Sequence, residues 1–101
     1  MQDASVTPNR SPSRDFRVNR TTSLASLAGA IAHRLREEPT LTVLATGVPA
    51  ITNTARAIAL AGRFLLEAEY RIDAVLSFTE YVREDGVDIQ GLSFRLTRHA
   101  L

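Results

Sequence analysis

The sequence predicts an α/β two-layer sandwich of the α+β type, with a four-stranded mixed sheet carrying both of its helices on one face. Three observations predict it. Two segments repeat apolar residues at helical spacing, and each follows a short strand-like run. A pair of alternating segments comes after them, joined at Asp85-Gly86, a strong hairpin signal. The resulting order, β-α-β-α-β-β, folds into two layers when both crossovers are right-handed.

The elements follow from local chemistry. Phe16 to Arg20 alternates apolar and polar residues and reads as a strand with Phe16 and Val18 inward. Thr22 or Ser23 is placed to cap the helix that follows. In that helix Leu24, Leu27, Ala28, Ile31 and Leu35 form an apolar stripe, and Pro39 ends it. Thr40 to Thr46 is β-branched and apolar, a central strand parallel to the first, closed by Gly47. Pro49 suits a helix start, because its missing N–H has no partner to lose there. The alanine-rich helix then runs from Ala50 to about Ala68. Its buried face is expected to be Ile51, Ala55, Ile58, Ala59, Gly62 and Leu66, with the small residues letting it lie close to the sheet. From Arg71 to Glu84, Ile72, Ala74, Leu76, Phe78 and Val82 point one way, interrupted by Glu80, and Asp73, Val75, Ser77, Thr79, Tyr81 and Arg83 the other. The returning strand runs Val87, Ile89, then Leu92, Phe94, Leu96, so the phase slips at Gln90-Gly91. A β-bulge is expected there, with Gly91 in an unusual backbone conformation.

Bulk properties narrow the class. A chain of 101 residues makes one domain. Residues 1–14 are Ser, Pro, Asn and Arg with little to bury and read as a disordered tail; residues 15–101 form the domain. No apolar run approaches the roughly 18 residues needed to span a bilayer, and no basic-then-apolar leader opens the chain. There is no cysteine, which removes disulfides, thiolate chemistry and Cys-ligated zinc and fits a cytoplasmic protein. All 12 basic residues are Arg and the net charge is +1. Residues 1–20 carry four Arg against Asp3 and Asp15, and residues 21–101 carry eight Arg against nine acids. The folded body is therefore not strongly basic, which limits any claim on nucleic acid.

Several blocks resemble one family. Ser26-Leu27-Ala28-Gly29-Ala30-Ile31-Ala32 is similar to the stretch S-V-A-G-A-L-A of the stage V sporulation protein S (SpoVS) family, and Leu35-Arg36-Glu37 continues it. Phe16-Arg17-Val18 resembles that family's L-K-V, Ala45-Thr46-Gly47 its A-I-G, and Arg56 to Ala61 its K-A-V-A-I-A, with Phe64 at the right distance. Residues 16–64 lie on the pattern without a gap. The resemblance implies an Alba-like fold, a self-associating subunit (homodimer or higher) and nucleic-acid binding, with DNA ahead of RNA. Arg17 and Arg56 stand where the family has Lys. Thr21 replaces a second Lys, Pro49 a Gly, and Thr52-Asn53 replace Asn-Gln. Gly62-Arg63 reverses the family's Arg-Gly.

The candidate nucleic-acid-binding residues are therefore Arg17, Arg20, Thr21, Thr22, Ser23, Asn53 and Arg56. They gather at two helix starts, where free N–H groups and nearby guanidiniums attract phosphate. Each element also has a plainer reading: a capped helix with solvated arginines, and an ordinary strand-to-helix turn. The hairpin tip, Arg83 to Asp88, holds three acids against one Arg and would repel phosphate. Arg10 and Arg14 in the tail add charge that is blind to sequence. Tyr70 and Tyr81 fit packing against a partner subunit better than base stacking. His33 and His99 belong to no metal-ligand spacing, and no nucleophile motif such as G-x-S-x-G occurs. The expectation is a binding protein with no catalytic site, no metal and no cofactor. A homo-oligomeric interaction module of the same fold without nucleic-acid binding is the alternative.

Overall fold

The computed structural model describes residues 15–19, 21–79 and 82–101; the expected tail, Arg20, Glu80 and Tyr81 lie outside them. Strand β1 (Asp15–Val18) leads to helix α1 (Leu24–Glu37), then strand β2 (Thr40–Thr46) and helix α2 (Val48–Leu66). Strands β3 (Tyr70–Phe78), β4 (Val82–Glu84), β5 (Val87–Ile89) and β6 (Gly91–Ala100) follow. β1, β2, β6 and β3, in that order, make one four-stranded sheet. β1 runs parallel to β2, while β6 runs antiparallel to both β2 and β3. The expected mixed sheet with two helices is borne out.

Register assigns every sheet residue to a face, because neighbours paired across strands point the same way and alternate along each strand. Phe16, Val43, Phe94 and Leu76 form one row, and Val18, Ala45, Leu92 and Phe78 the next. These rows face the helices. Leu41, Val43, Ala45, Phe94 and Leu96 are buried there against Leu27, Ala28, Ile31, Ala32 and Leu35 of α1. Burying a Leu or Ile of this set stabilises the fold by about 1.5–3 kcal/mol, so the predicted α1 stripe is the centre of the core.

Helix α2 meets the core through a different stripe from the expected one. Ala50, Thr54, Ala57, Ala61 and Leu65 are buried, whereas Ala55, Ala59 and Leu66 are exposed and Ile51, Ile58 and Gly62 half-buried. The cause is that α2 packs on α1 as well as on the sheet. Close approach of two helices selects alanine at the contact and leaves the bulkier Ile and Leu on the flanks. The Oγ1 of Thr54 is buried and has no hydrogen-bond partner among the described residues.

The hairpin also departs from expectation. Asp85 and Gly86 form its turn with φ of 52° and 77°, the left-handed pair that a two-residue hairpin needs. However, β4 and β5 form a separate two-stranded ribbon instead of extending the sheet. Phe78 pairs with Leu92 and Val82 with Ile89. Three residues thus separate the pairs on the outgoing side and two on the returning side. The phase slip expected at Gln90-Gly91 is thus present, as an outgoing arm one residue longer than the returning one. Gly91 is not among the residues with positive φ. It is glycine for want of space: a Cβ there would stand 2.8 Å from the Ala45 carbonyl oxygen and 2.8 Å from Thr79 Oγ1.

In β3, Ile72, Ala74, Leu76 and Phe78 share one face, as the alternation predicts. Those residues do point to the helix side, yet the helices stop short of them. Leu76 is 55% and Phe78 79% exposed, and Val75 on the opposite face is 64% exposed. β3 is an edge strand whose core face overhangs its cover.

Candidate nucleic-acid interface

The loop between β1 and α1 is organised by Asn19. Its Oδ1 accepts from Thr21 N (2.9 Å), Thr21 Oγ1 (2.6 Å) and Thr22 Oγ1 (3.4 Å), and its own N–H donates to Thr22 Oγ1 (3.2 Å). This is the Asx-type turn that Asn favours. Ser23 is the N-cap of α1, its Oγ accepting from Ser26 N at 3.3 Å. Thr21, Thr22 and Ser23 therefore commit their hydroxyls to the loop and the cap. Asn19 escaped the sequence reading, although an Asn two and three residues ahead of threonines is a turn signal in itself.

Helix α2 starts differently. Gly47 is its N-cap, no side chain caps it, and Pro49 occupies the first turn. The two helix starts do converge: Asn19 and Thr21 line one cavity of about 320 Å³ with Thr46, Gly47 and Pro49. The hairpin closes it, contributing Asp85 and Ile89. Among the described residues Asp85 is the one charged residue of this lining, so they present a carboxylate where phosphate was expected.

The guanidiniums do not gather there. Arg17 is exposed on β1, and its row with Leu44 and Ser93 points away from the helices. Arg56 is exposed on α2, in the layer covering the other face, and Asn53 is half-buried on the same helix. Arg20 lies outside the described residues. The expected shared edge holds for the two loops and not for Arg17 and Arg56.

The other arginines divide by use. Arg98 donates from Nη1 to the carbonyls of Leu35 (2.8 Å) and Arg36 (2.9 Å) and lies over the Tyr70 ring at 4.6 Å. Arg36 Nη2 reaches the Phe64 carbonyl at 3.4 Å, and Arg34 lies 5.1 Å from the Phe16 ring centroid. Arg71 Nη2 and His99 Nε2 share Asp73 Oδ2, at 3.5 and 2.9 Å. His33 is 3.6 Å from Glu37. By contrast, Arg17, Arg56, Arg63 and Arg95 are exposed and paired with none of the described residues. Sequence reasoning passed over Arg95, because only the β6 register places it on the same face as Arg17. No group of three His, Cys, Asp or Glu among the described residues is arranged to hold a metal, and no described helix is long and apolar enough to cross a membrane.

Comparison with known proteins adds two findings. The stage V sporulation protein S (SpoVS) family pattern matches residues 14–99. Among solved structures the fold is similar to Alba from Thermoplasma volcanium, with a TM-score of 0.61 and 13% identity, over 83% of this chain and 99% of that one. At that identity the likeness shows the fold alone. No curated protein matches the chain.

Proposed function

The chain belongs to the stage V sporulation protein S family, and on that premise we propose that it is a cytoplasmic binding protein, not an enzyme, that holds nucleic acid by the phosphate backbone. Base sequence enters little, and the role is that of a chromosomal or developmental regulator. The observation that supports this reading is the set of free guanidiniums, Arg17, Arg56, Arg63 and Arg95. Each is exposed with no carboxylate partner among the described residues, in a body where every other guanidinium described is engaged. Forked donors left unpaired are what phosphate oxygens require. The test is binding of duplex DNA and of duplex RNA across a salt series, with DNA bound more tightly. Affinity should fall steeply with salt, the slope of log K against log salt being about −0.9 per phosphate contact. A protein that binds neither polymer at low salt would end the reading.

One observation favours a second reading, a homo-oligomeric interaction module. Val75, Leu76 and Phe78 are more than half exposed on an edge strand, with Phe64 and Leu66 exposed near the end of α2. Exposed apolar residues beside a row of unpaired strand amides are the mark of an association surface. A homodimer or higher assembly through β3 follows, and light scattering that reports a strict monomer would refute it.

A further inference from the structure

The helix-free face of the sheet has no assigned role. Register puts Asp15 and Arg17 of β1 on it, then Thr40, Thr42, Leu44 and Thr46 of β2. Ser93, Arg95, Thr97 and His99 of β6 follow, with Arg71, Asp73, Val75 and Ser77 of β3 at the far edge. No described element covers it. Leu44 and Val75 are its only large apolar residues. Two of its guanidiniums, Arg17 and Arg95, pair with none of the described residues, while Arg71 and His99 are occupied by Asp73. Asp15 stands in the row of Arg95 but two strands away, roughly 10 Å at ordinary strand spacing and beyond ion-pair reach.

We infer that duplex nucleic acid lies across this face, with Arg17 and Arg95 each on a backbone phosphate. The inference rests on the nucleic-acid reading above and names the surface that serves it. Three features point here and away from the helix starts. The cavity at the helix starts holds Asp85, and its Thr21 hydroxyl is committed to Asn19. The outer face instead offers Thr42 beside Arg95 and Ser93 in the row of Arg17, hydroxyls of the kind that donate to phosphate. Two strand steps and one same-face repeat set Arg17 and Arg95 about 12 Å apart, equal to three to four base steps of rise along a duplex axis. The class of polymer follows from what is missing. Phe16, Tyr70, Phe78 and Phe94, the aromatics of this sheet, all point to the helix side. Single strands are gripped by stacking bases on aromatic platforms, and among the described residues this face has no Phe, Tyr or Trp.

The experiment is fluorescence anisotropy of a labelled duplex and of its separate strands, titrated with the full chain between about 50 and 200 mM salt. Arg17→Ala and Arg95→Ala should each reduce the slope by about 0.9, shrinking the affinity lost across that range about 3.5-fold. Arg36→Ala, on α1 and already engaged with the Phe64 carbonyl, should leave it unchanged, and the duplex should bind more tightly than either strand. Arg95→Gln, which keeps the aliphatic stem, should match Arg95→Ala with an unaltered thermal midpoint. If the parent chain binds but the slope responds to Arg56→Ala and not to Arg95→Ala, the surface is the helix side and this inference falls while the reading stands. Preference for single strands would overturn it as well. Absence of binding by the parent chain would remove both.

Discussion

Arg98→Ala should be the most damaging single change outside the apolar core. The last carbonyls of a helix have no partner within it. In α1 the Arg34 carbonyl is met by Glu38 N at 2.8 Å, and those of Leu35 and Arg36 by the guanidinium of Arg98, which reaches across from β6. The bond to Leu35 is partly buried and, with a charged donor, contributes about 1.5–2 kcal/mol. The exposed bond to Arg36 adds about 0.5 kcal/mol, and the Tyr70 ring under the cation about 0.5–1 kcal/mol. The total is about 3 kcal/mol, a large share of the ~5–15 kcal/mol that holds a domain together. Urea unfolding followed by circular dichroism should show the midpoint falling with the m-value unchanged. The thermal midpoint should drop by about 12–24 °C. Arg98→Lys keeps the charge at the helix end but loses the fork, so it should recover about half. An alanine variant within about 0.5 kcal/mol of the parent would refute the assignment, because it would mean that water serves these carbonyls equally well.

Four further outcomes are expected. Gly91→Ala places a methyl 2.8 Å from the Ala45 carbonyl oxygen, and backbone cannot yield there cheaply; unfolding should show a loss of about 1–3 kcal/mol. Glu69 holds φ at 63° just past α2, so Glu69→Gly should relieve strain and gain about 0.5–1 kcal/mol, seen as a raised thermal midpoint. Thr54→Val removes a buried hydroxyl that bonds to none of the described residues and should stabilise by about 1 kcal/mol in the same assay. Phe78→Asp, at a residue already 79% exposed, should barely change the stability of the subunit. It should convert any assembly to monomers by light scattering.

Where local chemistry decides, the chain is readable. Thr40 to Thr46 is β-branched between Pro39 and Gly47, and it is β2 to the residue. The α1 stripe is equally plain, because large aliphatics alternate with alanine and polar residues at one period. The α2 face was misjudged since hydropathy ranks Ile above Ala, whereas a close helix–helix contact ranks them by size. Gly91 was singled out correctly, but its cause is a carbonyl on another strand, which no local pattern can display. The pairing of Arg98 with Leu35 spans 63 residues and depends on the β6 register, set in part by Arg98 N donating to the Pro39 carbonyl at 2.9 Å. Arg17 and Arg56 looked like neighbours because both sit near helix starts. Strand parity turns the first outward, and a residue's parity has no meaning until its partner strand is known.

The unequal count of residues on the two arms of the hairpin has an architectural consequence. An odd insertion on one arm breaks the rigid correspondence between the tip and the strands beneath it. The ribbon of β4 and β5 then pairs on its own count, apart from the register that β3 and β6 share. The tip is thereby an interchangeable appendage. Replacing its acids with arginines would rewrite what the arm attracts while the hydrophobic centre went on folding as before.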